Sequence, residues 1–208
     1  MSTRKVAFQH TIEYEVVNTS NLFHLLIWAL LSVGKIEDAR RFVVVDANVE
    51  KHHGAAIRAY FEYHHVDARF ATFPGGEENK TLDHYLALAH ELDLFPIHRR
   101  DEPIIAIGGG VLTDLVGFVA ASHRRGVPYI KVPTTLMGYV DASIGIKTGF
   151  NFNGNKNRLG AFHAPQTVLL DKTLLKTLPR RHLLNGLCEI IKLAIIADAE
   201  LFDLLELH

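Results

Sequence analysis

The chain has 208 residues with 22 Lys and Arg against 23 Asp and Glu, a balance that leaves no electrostatic footprint for nucleic acid or an anionic membrane surface. Its single cysteine, Cys188, excludes an intramolecular disulfide framework and fits a reducing, cytoplasmic setting. The most apolar stretch, Leu22 to Val33, contains His24 and falls short of the ~20 residues a bilayer demands, and no signal-type apolar region follows Met1-Ser2-Thr3-Arg4-Lys5, so a soluble protein is expected.

Short β-branched runs alternate with helical patterns. Thr11 to Val17 alternates like a strand, and Ser20 to Val33 reads as a buried helix with Ser20 or Asn21 as its N-cap. Arg41 to Asp46 is an apolar strand ending in an acid. Val49 to His64 is amphipathic, with Ala55, Ile57, Tyr60 and Phe61 on one face. Ala68 to Phe73 is a strand and Lys80 to Leu92 a helix. Pro103 to Ile107 is a strand, followed by Gly108-Gly109-Gly110, a helix to about Ser122 and the strand Tyr129 to Val132. Strands apolar on both faces, alternating with helices, indicate a largely parallel sheet covered on both sides, a doubly wound α/β domain. Gly145 to Gly160 is rich in Gly, Asn and Lys and reads as a long irregular, functional loop. From Leu174 the chain turns helical, with Leu183 to Ala197 and then Ala199 to Leu207. The expected division is an α/β domain over 1–176 and the beginning of a helical domain over 177–208.

The three glycines lie where a strand meets a helix. Such a turn either serves tight packing alone or lets a pyrophosphate approach the main chain at a helix N-terminus. Asp46 also has two readings, as helix N-cap or as holder of a ribose hydroxyl. It precedes the glycines rather than following them by about 20 residues, which disfavours an ordinary dinucleotide fingerprint. Further on, "VPTTLMGYVDASIGIKTG" and "NGNKNRLGAFH" gather Asp141, Lys147, Lys156 and Asn157. That concentration suits a phosphorylated polyol, whereas each lysine alone could be solvated surface. "GLCEIIK" sets Glu189 and Lys192 one turn apart on one helix face, as a site or as an exposed pair. The paired histidines His52-His53 and His64-His65 read as surface residues.

From about Arg41 onward these stretches resemble the sugar phosphate cyclases, the superfamily of dehydroquinate synthase. Gly76-Glu77 with Lys80, Gly108-Gly109-Gly110 with Asp114, Arg125-Gly126-Val127 and Pro133-Thr134-Thr135 stand in the family's order. So do Asp141, Lys147, Lys156-Asn157, Thr177-Leu178, and Glu189 with Lys192. The resemblance implies an NAD-dependent and metal-dependent cyclase that oxidises a ring hydroxyl transiently, eliminates phosphate, reduces the ketone and closes a carbocycle by intramolecular aldol addition. It implies NAD contacts from Asp46, Asn48, Glu77, Lys80, Gly108, Gly109, Gly110, Asp114, Thr134, Thr135, Thr177 and Leu178. It assigns the sugar phosphate to Asp141, Lys147, Lys156, Asn157 and Lys192. Arg125 would reach a neighbouring subunit's substrate, implying a homodimer, and Glu189 would be the first ligand of zinc or cobalt.

Dehydroquinate synthases usually read Gly-Gly-Lys where this chain has Gly145-Ile146-Lys147. The segment Lys156 to His163 is more similar to the sedoheptulose 7-phosphate branch. Its products are 2-epi-5-epi-valiolone, 2-epi-valiolone and desmethyl-4-deoxygadusol. "RRGVPYIKVPTTL" and "KTG" favour the first, Ile146 and His163-Ala164 the other two. Dehydroquinate synthesis, an iron-dependent alcohol dehydrogenase and a noncatalytic NAD-binding fragment are the alternatives. Beyond Glu189 the only histidine is His208, so the expectation is a truncated cyclase that binds NAD in part, lacks two metal ligands and is inactive alone.

Overall fold

The computed structural model describes residues 2–9, 11–34 and 39–207; His208 therefore lies outside the described residues. Six strands form one parallel sheet: β1 (Glu15–Thr19), β2 (Arg40–Asp46), β3 (Asp67–Phe73), β4 (Ile104–Gly108), β5 (Tyr129–Pro133) and β8 (Thr167–Asp171), in the order β1-β8-β5-β4-β2-β3. Between β5 and β8 a separate antiparallel hairpin pairs β6 (Lys147–Phe152) with β7 (Asn155–Phe162). The helices are α1 (Ala47–Tyr63), α2 (Leu82–Leu94), α3 (Gly110–Ser122), α4 (Arg180–Ala197) and α5 (Ala199–Glu206).

Side chains alternate across the strands and so feed two cores. Phe42, Val44, Ile104, Ala106 and Tyr129 pack with α2, α3 and Phe150 of the hairpin. Val43, Val45, Ile105, Ile107, Ile130 and Val132 pack on the other face with Ile57, Tyr60 and Phe61 of α1 and with Leu22, Leu30 and Leu31. Both faces are covered, as the uninterrupted apolar runs predict.

Connectivity fixes where a ligand can sit. From β2 the chain runs to β3 at one edge, then returns to place β4 on the other side of β2. The connections leaving β2 and β4 diverge, and the carboxyl ends of those two strands open a crevice.

Five local expectations are corrected. Ser20 to Val33 is a chain of turns rather than a helix: Asn21 has φ 53°, and the amides of His24, Ile27 and Leu31 reach back only three residues. The Leu22 amide instead donates to the fully buried carboxylate of Asp171 at 2.7 Å, a long-range bond that outweighs local periodicity. The segment 145–160 is a hairpin, turned by Asn153-Gly154 with φ of 49° and 73°. An Asn-Gly pair with both φ positive is the preferred two-residue hairpin turn, and that signal was present in the sequence. The strand β8 was missed, and Ala55 of α1 faces outward. His64 is also no surface residue, since its ring packs within 5.1 Å of the rings of Trp28, Tyr60 and Tyr63.

Among the described residues no helix is long and apolar enough to cross a membrane. Helices α4 and α5 leave Ile195, Ile196 and Leu204 exposed. Helix α4 meets the rest of the chain closely at Gly186, where an added Cβ would lie 2.6 Å from Leu136 and 2.8 Å from the Met137 nitrogen.

Candidate functional site

A cleft of about 820 Å³ opens over the carboxyl ends of β2 and β4. Asp46, Asn48, Glu77, Lys80, Gly109, Gly110, Asp114, Thr134, Thr135, Thr177 and Leu178 all line it. Every residue expected to contact the dinucleotide is thus brought together, with Gly108 just behind as the last residue of β4.

The glycine turn meets both demands weighed for it. Gly109 caps α3 with no side-chain hydrogen bond, so the first-turn amides remain available to an anion. A Cβ on Gly109 would lie 2.9 Å from Thr135 Cγ2 and one on Gly110 3.0 Å from Ala142 Cβ. Packing against the β5 loop therefore also requires bare backbone here. Asp46 likewise has two roles open to it. Its Oδ1 accepts from the Asn48 amide at 2.8 Å, capping α1, while the residue lines the cleft beside the glycines, where a Cβ on Gly108 would lie 3.2 Å from the Asp46 Cβ. A helix start with no side-chain cap, a side-chain-free approach and an acid beside it fit a pyrophosphate with an adjacent ribose.

At the inner end Lys80 is only 3% exposed. Its Nζ lies 2.6 Å from Asp114 Oδ2 and 2.6 Å from Asn157 Oδ1. One ammonium thus joins the helix that follows the glycines to the hairpin. Burial pushes the Asp114 carboxyl up, opposed by the attraction of Lys80.

The residues expected to take the sugar phosphate are less converged. Of these only Asn157 lines the cleft. Lys156 is exposed with Nζ 3.9 Å from Glu77 Oε1. Asp141 and Lys147 are exposed at the two ends of the segment joining a π-helical turn at Gly138–Ala142 to β6. Lys192, exposed on α4, donates to Glu189, and that bond, with a smaller contribution from Asp141, raises its pKa. Arg125 sits in the turn before β5, at the opposite end of the strands from the cleft, with φ 66°.

Four further residues at or near the site are not assigned to it by the sequence. Asn151, His53, His182 and Lys131 carried no motif of their own. His53 Nε2 lies 2.9 Å from Thr177 Oγ1. The same hydroxyl lies 3.2 Å from the Leu174 carbonyl. His52, His53 and His182 line the cleft; His52 is exposed there, as expected, and His53 is half-buried.

Lys131 is fully buried in β5 and donates to the carbonyls of Ala142 at 3.2 Å and Gly145 at 2.8 Å. Tyr14 donates to the intervening Ile144 carbonyl, so the segment bearing Asp141 is held from two sides. Burial holds the Lys131 ammonium down at about 8, against the pull of Asp114. Between about pH 8 and pH 10 the unfolded chain keeps a proton that the folded chain has released, so stability rises with pH. Above pH 10 the slope reverses, because burial keeps Tyr60 up to about 12 and raises Tyr129 also. Urea unfolding across this range is expected to show the rise in the native protein and its loss in Lys131→Met.

A divalent metal does not find a complete site here. Among the described residues no group of three His, Cys, Asp or Glu side chains converges to hold one. Glu189 is engaged by Lys192.

The profile of the family described as 3-dehydroquinate synthase N-terminal matches residues 70–185. The chain belongs to this family. Members similar to it include a 2-epi-5-epi-valiolone synthase of Actinomyces sp., 46% identical over 203 residues, spanning 96% of this chain and 53% of that protein. Among solved structures, ValA (2-epi-5-epi-valiolone synthase) from Streptomyces hygroscopicus subsp. jinggangensis 5008, with NAD+ and Zn2+ bound, superposes with a TM-score of 0.92. It is 41% identical, over 98% of this chain and 55% of that one. A 2-deoxy-scyllo-inosose synthase complexed with carbaglucose-6-phosphate, NAD+ and Co2+ gives a TM-score of 0.75 at 26% identity, over 86% and 48%. The chain spans about half the length of the curated relatives it matches.

Proposed function

We propose that the intact protein is a sugar phosphate cyclase that converts sedoheptulose 7-phosphate to a C7 cyclitol, 2-epi-5-epi-valiolone, with release of phosphate. The observation that carries this reading is the Lys80 ammonium, which binds Asp114 on the cofactor wall and Asn157 on the hairpin at 2.6 Å each. Cofactor and sugar phosphate are thereby expected on opposite sides of one buried charge. The resemblance over 96% of this chain to 2-epi-5-epi-valiolone synthase supports the product.

NAD, when bound, supplies reversible hydride acceptance. The residues of this chain do the rest by binding and orientation. The α3 amides and Gly109-Gly110 hold the pyrophosphate, and Asp46 and Asn48 the ribose. Asp114 and Lys80 fix the position of Asn157. Lys147 and Lys156 supply charge to a leaving phosphate, where such stabilisation is local. The proposed division at residue 177 gives α4 to a second domain, on which Glu189 is the metal donor offered by these residues. Arg125, away from the cleft, is proposed to serve a partner subunit in a cytoplasmic homodimer.

The test is phosphate release by the intact protein from sedoheptulose 7-phosphate and, separately, from the carboxylated dehydroquinate precursor. Release from the first is expected, and turnover of the second alone refutes the assignment. Calorimetry with Asp46→Ala is expected to show roughly tenfold weaker NAD binding and about 1 kcal/mol less stability from the lost cap. Asp46→Ser keeps a cap but cannot reach across to a ribose. If Asp46→Ala binds NAD normally, Asp46 is only a cap.

A further inference from the structure

Strand pairing in the hairpin breaks down beside the cleft. Phe150 pairs with Leu159 and Phe152 with Asn155, with an irregularity between them. Asn151 therefore faces the three residues Lys156, Asn157 and Arg158, which leave the ladder as a bulge. Such bulges re-aim side chains at functional sites. Asn157 takes φ 51° there, and its amide loses a cross-strand partner.

The carboxamide of Asn151 supplies what the ladder does not. Its Oδ1 accepts from the Asn157 amide at 2.8 Å. Its Nδ2 donates to Glu77 Oε1 at 2.8 Å and to the Glu77 carbonyl at 3.3 Å. Its own backbone amide donates to the Lys80 carbonyl at 2.8 Å. One residue thus touches Glu77, Lys80 and Asn157, three residues expected in the site, although it does not line the cleft itself.

We propose that Asn151 is a positioning residue: its carboxamide fastens the bulge of β7 to the Glu77–Lys80 turn, and so sets where Asn157 meets Lys80 and where Glu77 faces the cofactor. This rests on the function proposed above for its consequence in binding, but the fastening itself does not. The bonds run in both directions, from Nδ2 to an acceptor and to Oδ1 from a donor, so the site requires an amide rather than any polar group of that size. An aspartate in its place turns the donor into a second acceptor against the Glu77 carboxylate, and that repulsion swings the side chain off the Asn157 amide as well. Replacing Glu77 by glutamine returns a donor to that contact.

The experiment compares N151D, E77Q, the double variant N151D/E77Q and N151S in the intact protein, each first checked for cooperative unfolding. Hydrogen exchange at the Asn157 amide reads the fastening without cofactor or substrate, and calorimetry reads the Kd for NAD. N151D is expected to speed exchange and to raise the Kd, each by roughly tenfold or more. E77Q is expected to bring N151D back to within roughly threefold of E77Q alone in both readouts, a coupling that contact pairs show and distant pairs do not. N151S, which is too short for either bond, is expected to exchange fast with or without E77Q. Effects of N151D and E77Q that simply multiply, or unchanged exchange in N151S, overturn the proposal. If native protein fails to bind NAD while exchange follows the expected pattern, the functional reading fails and the fastening stands.

Discussion

Lys80→Met is expected to cost about 3 kcal/mol of stability at neutral pH, and the double variant Lys80→Met with Asp114→Asn to recover most of it. The lysine is 3% exposed and its Nζ lies 2.6 Å from Asp114 Oδ2. Methionine matches the length of its four-carbon stem and leaves the carboxylate in place without its cation. Breaking a buried pair on one side costs more than removing both partners, because the surviving charge stays desolvated. Burial already raises the Asp114 carboxyl with Lys80 present, so the variant raises it further. The sign of the pH dependence follows. Below the unfolded value of about 3.8 both states hold the proton and the penalty vanishes; it grows as pH rises through the folded value. Urea unfolding at pH 7 and pH 5 is expected to show the gap between native protein and variant narrowing on acidification. A gap independent of pH, or no recovery in the double variant, contradicts a charge origin. Asn157 Oδ1 also loses its partner, so on the proposed function turnover is expected to fall along with stability.

Much of the frame was legible because it depends on short-range regularities. Apolar runs such as Phe42 to Val45 and Ile104 to Ile107 announce strands buried on both faces, and the glycines after Ile107 mark the strand-to-helix turn at the switch point. What was not legible depended on long-range bonds. Nothing local to Ser20–Val33 says that the Leu22 amide is taken by Asp171, 149 positions away. Nothing around Lys131 says that a strand lysine will spend its protons on two carbonyls of a later turn. The hairpin is a different case, because Asn153-Gly154 carried the signal and the surrounding Gly and Asn were read as irregularity instead. Most residues that line the cleft were legible as spaced motifs, but their supports were not. Asn151 is such a support, and a support is defined by what it touches.

The hairpin itself supplies the sharpest steric test, a ranked series of three glycines. Gly149 and Gly160 pair across the strands, and a Cβ on Gly160 would run into the Thr148 carbonyl oxygen and stand 3.3 Å from the Gly149 Cα. Both obstacles are backbone and cannot swing aside as a side chain does. Gly160→Ala is therefore expected to force the strands apart and to destabilise the protein by on the order of 3 kcal/mol. Gly154 has open space but φ 73°, so alanine there meets only the left-handed backbone penalty, about 1 kcal/mol. Gly145 has neither a neighbour within 4 Å nor a positive φ, and its alanine variant is expected to unfold with the native protein. The functional order follows from the same geometry. Parting the strands at Gly160 displaces Lys156 and Asn157, four and three positions away, and a shift of about 1 Å at such residues is enough for a roughly hundredfold loss of kcat/KM. The glycine turn, Asp46 and the Thr134-Thr135 loop lie outside the hairpin, so NAD affinity is expected to fall much less than turnover. Unfolding curves, NAD calorimetry and kcat/KM on the three variants check the ranking. Equal losses for Gly160→Ala and Gly145→Ala would show that the close strand approach does not hold in solution.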